Sequence, residues 1–216
     1  MDRNAILEDA RIYIRNLFAS EASGHDYYHM MRVANTASML AREEKADTFI
    51  VELSSLLHDV DDVKIFPETA EGKLNARSFM KKWKMDDATI ERIIHIIDQV
   101  SFKGTESEVP DSIEGMCVQD ADRLDAIGAI GIARAFSYGG NHNRPLYDPE
   151  VPPMLDMDEK TYRGRKSHTL NHFYEKLFLL KDMMNTESGR RLAEKRHGFM
   201  ESFVSEFLEE WNGVSE

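Results

Sequence analysis

The chain contains a single cysteine, Cys117. No intramolecular disulfide can form, and a four-cysteine zinc site is excluded. The thiol lies in the apolar run Met116-Cys117-Val118, which reads as a buried structural position. Long apolar runs are missing too. Nothing approaches the roughly 20 residues that span a bilayer, and the opening stretch MDRNAILEDARIYIR is charged throughout, with no signal-type apolar region. These absences lead to the expectation of a cytoplasmic, reducing location and no membrane partner. Positive charge is in deficit: the formal net charge is −12. Such a surface repels long nucleic acid, yet it admits a mononucleotide whose charge is met by a metal and a few Lys or Arg. The patterns GxxxxGK[ST], GxGxxG, GxSxG and HExxH are all absent. Proline is scarce, and four of the six fall in GGNHNRPLYDPEVPP, Gly139 to Pro153. That stretch is the longest loop candidate and is not expected to form a helix.

What is present is helical periodicity almost everywhere. Ile6, Ala10, Tyr13, Leu17 and Phe18 form one apolar stripe. Met30, Val33, Ala34, Ala37, Leu40 and Ala41 form a second; Ile50, Leu53, Leu57 and Val60 form a third. Leu74 to Trp83 and Ile90 to Ile97 read as shorter helices. Longer ones are expected from Ser112 to Phe136, Thr161 to Met184 and Glu187 to Trp211. Strand alternation is absent, and no repeat or linker stands out. The expectation is one all-α domain over residues 1–216. Its core would span about 20–135, with C-terminal helices at about 160–212 packing on it.

Within this helical background, His29 in HDYYHMMRV, the pair His58-Asp59 after SSLL, and Asp122 in QDADRLDAIGA stand out. Two imidazole nitrogens and two carboxylates suit a borderline divalent cation, and leave coordination positions for water and a phosphate. An ionised carboxylate directly after an apolar run needs a partner or a metal to offset desolvation. Adjacent helical side chains diverge by about 100°, so His58 and Asp59 reach one ion only where the helix ends. Taken singly, each of these residues reads as an ordinary polar position; the joint pattern carries the argument. Asp120 and Asp125 compete with Asp122 by composition. His25-Asp26 is a second His-Asp pair, with His25 one turn before His29 and expected in a structural or surface place.

The motifs His29-Met30-Met31-Arg32-Val33, Leu56-Leu57-His58-Asp59 and Asp120-Ala121-Asp122-Arg123-Leu124-Asp125-Ala126-Ile127-Gly128 together resemble the HD-domain metal-dependent phosphohydrolase superfamily. VELSSLLHDVDDVKIF, SFKG and NHFYEKLFLLKDMMNTESGRRLAEKRHGFM resemble its small single-domain bacterial branch. That branch is similar to enzymes that split nucleoside triphosphates, deoxynucleotides included, into monophosphate and pyrophosphate. The resemblance implies an HD-domain helical bundle, with His29, His58, Asp59 and Asp122 as metal ligands. It implies one divalent ion (Mn, Co, Ni or Fe ahead of Mg or Zn) and a small-molecule nucleotide substrate, attacked at the α-phosphorus by metal-activated water. Only His95 lies between the His-Asp pair and the last Asp, so a mononuclear site is expected. Rival readings are nucleoside monophosphate dephosphorylation, cyclic-nucleotide cleavage, and a non-catalytic nucleotide or metal sensor. A homodimer stays open.

Further candidates surround this set. Asp61 or Asp62 could orient water or act as catalytic base, against the alternative of a solvated acidic turn. Lys64 and Lys103, the latter beside Gly104, could contact phosphate. Arg123 could reach substrate or pair with Asp120, and Asn75 could add a polar contact. His168 and His172 have zinc-pair spacing but no third ligand in a known pattern. Arg190, Arg191, Lys195 and Arg196 read as a solvated mixed-charge face.

Overall fold

The structure is a computed structural model that describes residues 2–19, 26–100, 108–155 and 167–213. The described residues form α-helices and one 3-10 helix, with no strand among them. The all-α expectation is met. Backbone contacts divide the chain into two compact units, Met1–Asp122 and Arg123–Glu216.

The first unit contains α1 (Arg3–Leu17), α2 (Tyr27–Glu43), α3 (Thr48–Leu57), α4 (Pro67–Ala70), α5 (Leu74–Lys82), α6 (Asp87–Val100) and most of α7 (Ile113–Asp125). Helix α3 is its centre and packs on α1, α2 and α6. From Phe49 to Leu57 only Glu52 escapes burial, so this helix is apolar nearly all round, as a core helix must be. Leu53, Leu56 and Leu57 are fully buried, each adding about 1.5–3 kcal/mol of transfer free energy. Aspartate starts each of the first three helices. Asp2 accepts from the N–H groups of Asn4 and Ala5, Asp26 from His29, and Asp47 from Phe49 and Ile50. Each satisfies first-turn donors that otherwise lack partners. Asp26 of the second His-Asp pair is therefore the cap of α2; His25 lies outside the described residues. Glu114 of α7 accepts from the Asp47 N–H at 3.0 Å, which ties α7 to the start of α3.

The second unit contains α8 (Gly128–Asn141), α9 (Asn171–Glu175), a 3-10 helix (Leu177–Met183) and α10 (Glu187–Asn212). Helix α10 packs on α8 and on the 3-10 segment. Aromatic rings fill the space between. Phe136 lies within 5.9–6.1 Å of the ring centroids of Phe173, Phe203 and Phe207. Thr186 caps α10 by accepting from the Gly189 N–H.

Three expectations are corrected. The helix expected from Ser112 to Phe136 is two helices, because Gly128 adopts φ +78° at the break, a conformation that no continuous helix contains. The helix expected from Thr161 to Met184 is, over its described part, the short α9 followed by the 3-10 segment. Gly139, Gly140 and Asn141, expected in the proline-rich loop, close α8 instead. The solvated reading of Arg196 also fails. Its guanidinium is half-buried and donates to the Leu124 carbonyl, and burial lowers its pKa against the opposing pull of Asp125.

Candidate metal centre

His29, His58 and Asp59 are all buried, and each offers a ligand atom within 4.8 Å of the others. His29 enters through the first turn of α2, where Asp26 fixes its backbone N–H at 2.7 Å. Its Nε2 stands 3.6 Å from Asp59 Oδ2 and 3.5 Å from Asp122 Oδ1. His58 is the residue at which α3 ends. The Val60 N–H bonds the Leu57 carbonyl and the Asp62 N–H bonds the Asp59 carbonyl. The chain thus leaves the helical path at the position where two adjacent side chains would have to face one point. His58 Nε2 lies 3.4 Å from Asp59 Oδ2 and 3.9 Å from Asp122 Oδ1. The two imidazole rings meet edge to face at 5.5 Å.

The tautomer of His58 follows from its other nitrogen. Nδ1 is 2.7 Å from the Ser55 carbonyl, an acceptor only, so Nδ1 carries the proton and donates it. Nε2 faces the Asp59 and Asp122 carboxylates. It is buried and makes no hydrogen bond to any described residue. A buried imidazole nitrogen without a hydrogen-bond partner among the described residues, with carboxylate oxygens of Asp59 and Asp122 converging on it at 3.4 and 3.9 Å, is an arrangement that a bound cation would satisfy. The donor set of two imidazoles and two carboxylates fits a divalent ion of the Mn to Zn series. The His29 and His58 side chains are 1% and 4% exposed, Asp59 12% and Asp122 27%, so the cluster opens on its Asp122 side.

Asp61 is buried, and its two oxygens accept from the backbone N–H groups of Asn75 at 3.0 Å and Ala76 at 2.9 Å. Asn75 donates from its side-chain amide to the Val60 carbonyl at 2.7 Å and to Thr69 Oγ1 at 3.0 Å. Asp62 is half-buried and accepts from the Lys64 N–H at 2.8 Å; Lys64 itself is exposed. Arg123 is buried in the second unit and donates to the Met183 carbonyl. Lys103 lies outside the described residues. His95 is exposed and paired with Asp111 at 2.8 Å. His168 is buried before α9 begins, its Nε2 3.0 Å from the Val151 carbonyl, which occupies one of the nitrogens a zinc pair would need. His172 is held neutral: burial first, then the charges of Lys176 and Arg144, lowers its pKa to about 3. Sequence reading missed the Ser55 carbonyl and the Asp61–Asn75 linkage, because backbone partners leave no mark in residue type.

Comparison with known proteins agrees with this geometry. The HD domain family model matches residues 26–127, a span that contains all four clustered side chains. Bacillus subtilis YpgQ, an uncharacterized protein, is 40% identical over 210 residues, covering 96% of this chain and 94% of its own. An HD-superfamily hydrolase from Bacillus thuringiensis superimposes with a TM-score of 0.79 at 39% identity, over 97% of this chain and 98% of that one. YpgQ has also been crystallised in complex with ADP. That structure aligns with a TM-score of 0.74 at 37% identity, over 97% of this chain and 96% of its own.

Proposed function

We propose that this chain, which belongs to the HD-domain superfamily of hydrolases, is a metal-dependent phosphohydrolase that splits (deoxy)nucleoside triphosphates into monophosphate and pyrophosphate. The observation that carries the reading is the convergence of His29, His58, Asp59 and Asp122 on one buried point. The complex of YpgQ with ADP supports a nucleotide as the ligand class.

In this reading His29 and His58 act as neutral nitrogen ligands, with the Ser55 carbonyl keeping the His58 lone pair on the inner nitrogen. Asp59 and Asp122 balance the charge of the cation. A divalent ion held there would neutralise phosphate oxygens and lower the pKa of water in its open positions. Asp122, the most exposed of the four, borders the side from which substrate arrives. Asp62 lies five residues past Leu57, the last residue of α3, with one oxygen committed to the Lys64 N–H. It takes the role of proton acceptor for the attacking water. Lys64, and Lys103 from outside the described residues, meet phosphate oxygens. Asn75 and Arg123, which donate to the Val60 and Met183 carbonyls, hold backbone.

The test is a substrate panel of tri-, di- and monophosphates and cyclic nucleotides under Mn(II), Co(II), Ni(II) and Mg(II), with product identification. Equimolar pyrophosphate and monophosphate support the reading. Orthophosphate from monophosphates, with inert triphosphates, replaces it with a phosphatase. Nucleotide binding without turnover under every metal replaces it with a sensor.

A further inference from the structure

The first turn of α5 receives no side-chain hydrogen bond from its own cap residue. Its cap position, Lys73, sits in the left-handed region at φ 53°, and no side chain there bonds the turn. The N–H groups of Asn75 and Ala76 instead reach Asp61, which comes from the turn that bears the metal-binding pair. A charged acceptor at a helix start bonds strongly and is favoured by the helix dipole. The linkage is returned: Asn75 donates at 2.7 Å to the carbonyl of Val60, the residue directly after Asp59. Thr69 Oγ1, 3.0 Å from the same amide, holds Asn75 from the other side. Asp61 is 1% exposed and Ala76 is fully buried, so water does not replace these bonds cheaply. The two residues that follow Asp59 are thereby fixed from both ends, while His58 is fixed from the other direction by the Ser55 carbonyl.

We propose that Asp61, with Asn75, is a positioning residue that aims the His58-Asp59 pair, so that cation affinity depends on a carboxylate outside the ligand set. The proposal rests on the metal-binding reading above. Supporting groups around metal ligands commonly control affinity by about 10–100-fold, and the same range is expected here.

The experiment measures Mn(II) affinity of the full chain by chelator competition, and the visible spectrum of the Co(II)-loaded protein. Variants are Asp61→Asn, Asn75→Ala, the double variant and His58→Ala. Melting in excess chelator reports the fold alone. The expected result is an affinity loss of about 10–100-fold for Asp61→Asn and an altered Co(II) spectrum. Asn75→Ala should lose a smaller factor, and the double variant less than the product of the two. Should Asp61→Asn fail to fold, Asn75→Ala decides. Unchanged Mn(II) affinity and Co(II) spectrum in the variants that fold, with melting lowered or not, would overturn the proposal while His58→Ala still abolishes binding. Unchanged binding by His58→Ala itself would instead overturn the metal-binding reading on which the proposal stands.

Discussion

His58 concentrates the chemistry of the site in one side chain. One ring nitrogen donates to the Ser55 carbonyl, and the other faces the Asp59 and Asp122 carboxylates. His58→Ala and Asp122→Ala should each abolish hydrolysis. Each should also remove the stabilisation a bound ion provides, about 2.7 kcal/mol at a free ion concentration a hundred times Kd. Melting curves with and without Mn(II) check this: the wild type separates into two curves and the variants do not. Cys117 gives a second prediction at the same scale. Burial, then the charges of Asp120, Glu44 and Glu114, pushes its thiol up to about 12, so the reactive thiolate is suppressed at neutral pH. Alkylation by iodoacetamide at pH 8 should be slow in the native protein and fast in urea, followed by mass spectrometry. Rapid native labelling would show that the thiol is accessible.

Helix ends are decided by backbone conformation, and this is where sequence periodicity stops informing. The stripes of α1, α2 and α3 are legible because their apolar residues repeat on one face and an aspartate precedes each helix. The break between α7 and α8 is not, since Ala126, Ile127 and Ile130 continue a helical apolar pattern through it. Only the positive φ of Gly128 marks the change. A Cβ at that position would lie 3.0 Å from Arg196 Cγ. Gly128→Ala should therefore destabilise the protein by about 1–3 kcal/mol, read as a lower denaturation midpoint. A neutral result would mean that the turn relaxes freely. The four clustered side chains were legible by type and order. Their orientation was not, because it depends on the Ser55 carbonyl and on bonds from Asp61 to backbone N–H groups. The short α9 and the following 3-10 segment were hidden for the same reason: tertiary packing of Phe173 and Leu177 sets them, and periodicity alone favours one longer helix.

For the molecule as a whole, acidity and buried neutral groups set the response to solution conditions. No helix among the described residues is long and apolar enough to cross a membrane. With a net charge of −12, the chain should leave a labelled DNA duplex unshifted at physiological salt. Stability should fall on acidification. The folded-state pKa of His172 is depressed to about 3, below its ordinary value, so between roughly pH 6.5 and 3 the unfolded chain takes a proton that the native chain refuses. Stability contributed by the neutral ring is complete above that window and declines as pH drops through it, by at most about 1.4 kcal/mol per pH unit. Urea titrations at pH 7, 5.5 and 4.5 measure the slope, and His172→Gln should reduce it. An unaltered slope would show that other groups govern the acid limb.

His29, His58, Asp59 and Asp122 are proposed to hold a single divalent cation. Crystals grown with Mn(II) and measured at the manganese absorption edge test it most directly. One anomalous peak is expected, bounded by His29 Nε2, His58 Nε2 and carboxylate oxygens of Asp59 and Asp122. No peak there at saturating metal, or a peak at other side chains, would contradict it.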